Sequence, residues 1–159
     1  MEIPSLSHIK KELGYLSEKE LIELISDLAK FSRDNKAFLY FKLYEKDQPT
    51  LFVDSVKEEL EDAFQTANTK NYYFAKKAAQ AIRRKLNKAL KLSKNKADQA
   101  ELILYFCEKI KLYGYLKFRH PVLTNLFQVQ LQKAEKLIEK LDEDLQYDLG
   151  VILSELKES

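Results

Sequence analysis

Residues 71–92 read NYYFAKKAAQAIRRKLNKALKL, and the spacing of their apolar side chains decides the fold class. On a helical wheel of about 3.6 residues per turn centred on Ala75, Ala78, Ala79, Ile82, Leu86, Ala89 and Leu90 share one face. That is the i, i+3, i+4, i+7 pattern of an amphipathic helix. Lys77, Arg84, Lys88 and Lys91 fall opposite, one above another over about 21 Å at the helical rise per residue. Alanine dominates the apolar side, so a neighbouring helix can approach closely there. This helix is expected to be the element around which the rest of the chain is organised.

Working outward, the composition agrees. The 159 residues include only three Gly and three Pro, too few for a hairpin-rich β protein or a disordered chain. Leu, Lys, Glu and Ala, all good helix formers, dominate instead. The reading is all-α: seven to eight helices in antiparallel pairs, as a solenoid-like stack or a compact orthogonal bundle, in a single helical domain over 1–159. The one cysteine, Cys107, excludes an internal disulfide and suits a reducing compartment. With no signal-type apolar run in MEIPSLSHIKKEL and no 18-residue apolar stretch, a cytoplasmic protein without a membrane partner is expected.

The net charge of +2 conceals a partition. Residues 1–62 hold 9 basic and 14 acidic side chains, residues 63–96 hold 10 and none, and residues 97–159 hold 8 and 11. Such a span either pairs with acidic helices inside the fold or presents a cationic face to a partner. Internal pairing is the expected outcome.

Caps and breakers divide the remainder. Ser5 should open a helix over about 6–13, with Gly14 turning left-handed at its end. Ser17-Glu18-Lys19-Glu20 is a capping box before an apolar face of Leu21, Leu24, Ile25 and Leu28. Asp34 is expected to cap a third helix to about Tyr44, which is apolar nearly all round and therefore the most buried of the early helices. A turn through Pro49 leads to a fourth helix with Val53, Val56, Leu60, Ala63, Phe64 and Ala67 inward and an acidic outer face over 57–62. Asn95 should cap a sixth helix with Ala100, Ile103, Leu104, Cys107 and Ile110 inward, stopped at Gly114. Pro121 should begin a seventh to about Asp142, and residues 143–157 form the last.

SEKELIELISDLAKF behind its Ser17 cap, AKKAAQAIRRKL at 75–86 and AELILYFCEKIKLYGY at 100–115 resemble, in order and helix count, a family of small uncharacterised all-helical bacterial proteins catalogued as a domain of unknown function. The resemblance implies a helical fold and supplies no site residue.

Few residues point to chemistry. His8 and His120 lie far apart and no HxxxH, ExxH or CxxC occurs, so neither a metal nor a cofactor is expected. Cys107 falls on an apolar face, where a thiol stays inert. The glycines are too dispersed for a phosphate-cradling loop. What remains is basic and aromatic: Lys70, Tyr72, Tyr73, Phe74, Lys76 and Lys77 at the start of the basic helix, and Tyr113, Tyr115, Lys117, Phe118 and Arg119 in a later connection. Aromatics interleaved with cations can stack bases and neutralise phosphates, though aromatics at helix ends are ordinarily core plugs. The expectation is a non-enzymatic scaffold or protein-interaction domain meeting a protein partner through Lys77, Arg84, Lys88 and Lys91. The alternative is nucleic-acid binding through the helix at 71–92.

Overall fold

The computed structural model describes residues 1–158, which form eight α-helices and one 3-10 turn, with no strand among them. The chain separates into two compact units, residues 1–43 and residue 44 onward.

The first unit holds α1 (Leu6–Leu13), α2 (Glu18–Phe31) and α3 (Arg33–Tyr44), whose last residue crosses the boundary. The hydroxyls of Ser5 and Ser17 accept from the amides of His8 and Glu20 at 3.3 and 3.2 Å, as their spacing from the helix starts requires. Gly14 departs from expectation. Its φ of −64° is right-handed, because its amide closes the last turn onto the Lys10 and Lys11 carbonyls. The cap of α3 is Ser32, whose hydroxyl accepts from the Asn35 amide at 3.0 Å. Asp34 lies inside the first turn, where its charge suits the helix dipole.

None of these three helices contains a buried residue, α3 included, although Ala37, Leu39 and Phe41 are partly covered. The expectation that α3 is the most covered of the early helices holds in degree: five of its 12 residues are partly covered, against one in α1 and two in α2. α1, α2 and α3 do not pack lengthwise on one another, and apolar side chains such as Leu24, Ile25 and Leu28 of α2 stay exposed. Some 40 residues are in any case too few to enclose a core unaided.

The second unit holds α4 (Leu51–Thr66), α5 (Tyr72–Leu90), α6 (Lys96–Leu112), the 3-10 turn (Tyr115–Phe118), α7 (Pro121–Ile138) and α8 (Glu143–Lys157). Its centre is α6 rather than the expected α5. α6 packs against α4, α5, α7, α8 and the 3-10 turn, and buries Ala100, Leu102, Ile103, Leu104, Phe106, Cys107 and Ile110. Packing against so many neighbours requires a broad apolar surface: Leu102 and Phe106 widen the face begun by Ile103, Cys107 and Ile110, and Glu108 and Leu112 are left exposed. Each of α4–α8 contacts the helices one and two places along the chain, a pattern common to a stack of helix pairs and to a compact bundle.

The other helices present one face each to α6 and its surroundings. α4 buries Phe52, Val53, Val56, Leu60 and Phe64, and α7 buries Leu123, Leu126, Phe127, Gln130, Leu131, Ala134 and Ile138. Each large apolar side chain so enclosed stabilises the fold by about 1.5–3 kcal/mol before conformational entropy is subtracted. Gly114, at φ 81°, takes the left-handed turn that ends α6 and brings Tyr115 under Phe64. Phe64 lies parallel to Tyr113 at 5.5 Å, edge-on to Tyr115 at 5.9 Å and tilted against Phe106 at 5.7 Å. The aromatic connection is thus largely a core plug.

Candidate binding surface on α5 and α7

α5 begins where the Asn71 side chain accepts from the Phe74 amide at 3.0 Å. From there its periodicity is realised: Ala75, Ala79, Ile82, Leu86 and Ala89 are buried. The opposite face must therefore look outward, and Lys77, Arg84, Lys88 and Lys91 are all exposed. Among the described residues Lys77, Arg84 and Lys91 join no ion pair. Internal pairing, the outcome expected for this span, does not hold for these three cations. Acids of α4 turn to α6 instead: Glu61 meets Lys109 at 2.7 Å, and from α6 Glu101 meets Lys57 at 2.6 Å.

The cationic face continues beyond the helix the sequence singled out. Gln99 of α6 donates from Nε2 to the carbonyls of Leu90 at 3.2 Å and Ser93 at 2.7 Å, fixing the end of α5 against the start of α6. Beside this junction lies a groove of about 610 Å³. Leu90, Ile103 and Leu137 supply its apolar lining, from α5, α6 and α7 respectively. Lys91 and Lys94 border it from the connection after α5, Lys133 and Lys136 from α7, and Lys140 from the turn that follows α7. Among the described residues no carboxylate lines it, and none of the five lysines joins an ion pair with another described residue. Lys133 and Lys136 went unremarked in the sequence, yet their i, i+3 spacing is that of one helical face. Their meeting with Lys91 and Lys94 is tertiary, and no local pattern announces it.

The two basic-aromatic stretches also meet, at the other end of α5. The Tyr72 ring stacks on His120 with centroids 3.7 Å apart and planes 22° from parallel. His120 caps α7, its Nδ1 accepting from the Val122 amide at 3.3 Å. Lys76 lies over the Tyr72 ring at 5.9 Å and Lys77 over the Tyr73 ring at 4.6 Å. A hydrogen bond from Lys77 lowers the phenol pKa of Tyr73 below its ordinary value. Tyr115 is fully buried and Tyr113 is held by Glu61 and Phe64, so neither can offer a ring to a base. Tyr73 and Phe74 remain exposed, at 52% and 39%.

Cys107 is enclosed in α6, and burial pushes its thiol up to about 12, far from any nucleophilic role. Among the described residues no three His, Cys, Asp or Glu side chains converge as metal ligands. Among the described residues no helix is long and apolar enough to cross a membrane.

Compared with known proteins, the chain matches no family model, no curated protein and no solved structure.

Proposed function

We propose that the chain is a helical interaction domain, without a catalytic step of its own, that holds an acidic segment of a partner protein on its α5 face. One observation carries this reading: exposed cations run along α5 from Lys77 to Lys91 and continue around a groove that has no carboxylate in its lining. Lys77, Arg84 and Lys91 join no ion pair among the described residues, and like charges gathered on one face repel one another, so such a face favours an anionic partner. Tyr72 is stacked on His120 and Tyr115 is buried, which favours a carboxylate-bearing partner over stacked bases.

The test is fluorescence anisotropy with two labelled probes, a 20-residue polyglutamate peptide and a 20-base-pair duplex DNA. The peptide should bind, with an association that weakens as salt rises. If only the duplex binds, the nucleic-acid reading replaces this one. Four phosphate contacts through Lys77, Arg84, Lys88 and Lys91 would then give a salt slope of about −3.6, roughly a hundredfold loss between about 50 and 200 mM.

A further inference from the structure

The groove at the end of α5 carries more information than its charge. Its lysines stand on both sides of an apolar lining, Lys91 and Lys94 on one and Lys133, Lys136 and Lys140 on the other. Lys133 and Lys136 lie about one turn apart on α7, and Lys140 extends their bank into the turn beyond the helix. A ligand complementary to this surface has an apolar strip in the middle and negative charge along both margins. A fatty acid concentrates its charge at one end. A nucleic-acid strand carries charge along its length but presents no apolar strip between rows of phosphates. An amphipathic helix with Leu or Ile at i, i+3, i+4 and i+7 and Glu or Asp on both flanks matches both features, and laying an apolar helix face into a groove is a recurrent mode of recognition.

We infer that this groove docks an acidic amphipathic helix of a partner protein, with Leu90 and Leu137 receiving its apolar stripe over a floor formed by the buried Ile103, and the two banks of lysine receiving its flanking carboxylates. The inference rests on the acidic-partner reading above and deepens it. The apolar stripe supplies the affinity that survives salt, and the lysines select the orientation and exclude basic helices.

The experiment compares two labelled 16-residue peptides of identical composition on the full chain. One places leucines at helical i, i+3, i+4, i+7 spacing with glutamates on both flanks; the other has the same residues scrambled. The amphipathic peptide should bind at least tenfold more tightly than the scrambled one, and the preference should persist at about 300 mM salt, where surface charge is largely screened. Lys133→Glu with Lys136→Glu should weaken it at least tenfold, whereas Lys77→Glu with Arg84→Glu, further along the cationic face and outside the groove, should weaken it by a smaller factor. Thermal midpoints of both variants should match the parent. Equal binding of the two peptides overturns the groove inference and leaves the acidic-partner reading standing. Binding of neither peptide, with or without binding of the 20-base-pair duplex, overturns both. Equal losses in the two double variants also overturn the groove assignment, because charge anywhere on the face would then suffice.

Discussion

The Glu61 carboxylate on α4 lies 2.7 Å from the Lys109 ammonium on α6 and accepts from the Tyr113 hydroxyl at 2.6 Å. Tyr105 donates to the same carboxylate at 2.9 Å and Gln65 at 3.1 Å. Lys109 first, then Tyr113, with smaller help from Tyr105 and Gln65, hold the carboxyl pKa down at about 2 against an ordinary 4.5. A carboxylate that ionises more easily when folded contributes stability that is complete above its unfolded value and is lost as pH falls through its folded one. Glu61→Gln should therefore destabilise the bundle by about 1–3 kcal/mol near neutrality, the range for hydrogen bonds to a charged group. The gap between variant and parent should shrink as pH falls from about 4.5 towards 2. Urea denaturation at pH 7, 5 and 3 measures it, and a gap constant with pH would assign the network no ionic share.

Ala79 on α5 is fully buried, whereas Ala81, two residues on, faces solvent. Enlarging Ala79 to Leu should overpack a core with little spare volume and cost about 1–3 kcal/mol. Ala81→Leu should stay within about 0.5 kcal/mol of the parent, as surface substitutions ordinarily do. Thermal midpoints of the two variants give the comparison, and equal midpoints would show that the alanine face of α5 is not a packed seam.

The two units should respond differently to truncation. Leu60 on α4 is 0% exposed and Leu28 on α2 is 51% exposed. Leu60→Ala should cost about 2–5 kcal/mol through lost burial and the cavity left behind. Leu28→Ala should cost less than about 1 kcal/mol, since alanine is the best helix former and little apolar area changes. Denaturation curves followed by circular dichroism report both.

Two glycines differ in sign. An added Cβ at Gly150, within α8, meets nothing within 4 Å. Gly150→Ala should stabilise by about 0.5–1 kcal/mol through helix propensity and a less flexible unfolded chain. Gly114, at φ 81°, is in the left-handed region, and Gly114→Ala should destabilise by about 1–2 kcal/mol. Differential scanning calorimetry on the two variants checks the pair.

What the sequence disclosed and what it withheld follow from the range of the forces involved. Ser5, Ser17 and Asn95 cap the helices they were expected to open because a cap is a bond across two or three residues. The face of α5 was legible because 19 helical residues repeat the same period. α6 concealed its central place because its apolar surface is broad, and Leu102 and Phe106 blurred the period of Ile103 and Cys107. α3 was legible only in degree: it is the most covered of the first three helices, but apolar composition cannot say how much facing surface exists, and none of its residues is buried. Lys133 and Lys136 were visible on one face of a helix, but only the packing of α7 beside α5 and α6 brings them, with Lys140 of the following turn, to Lys91 and Lys94.

The cationic face itself is tested most directly by one titration, a labelled polyglutamate peptide against the parent chain and the variant carrying Lys77→Glu, Arg84→Glu, Lys88→Glu and Lys91→Glu. The parent should bind with an affinity that falls as salt rises, and the variant should lose at least tenfold in affinity while keeping its thermal midpoint. Binding unchanged in the fourfold variant, or a variant that unfolds because those cations hold the bundle together, would contradict an outward-facing surface for an acidic partner.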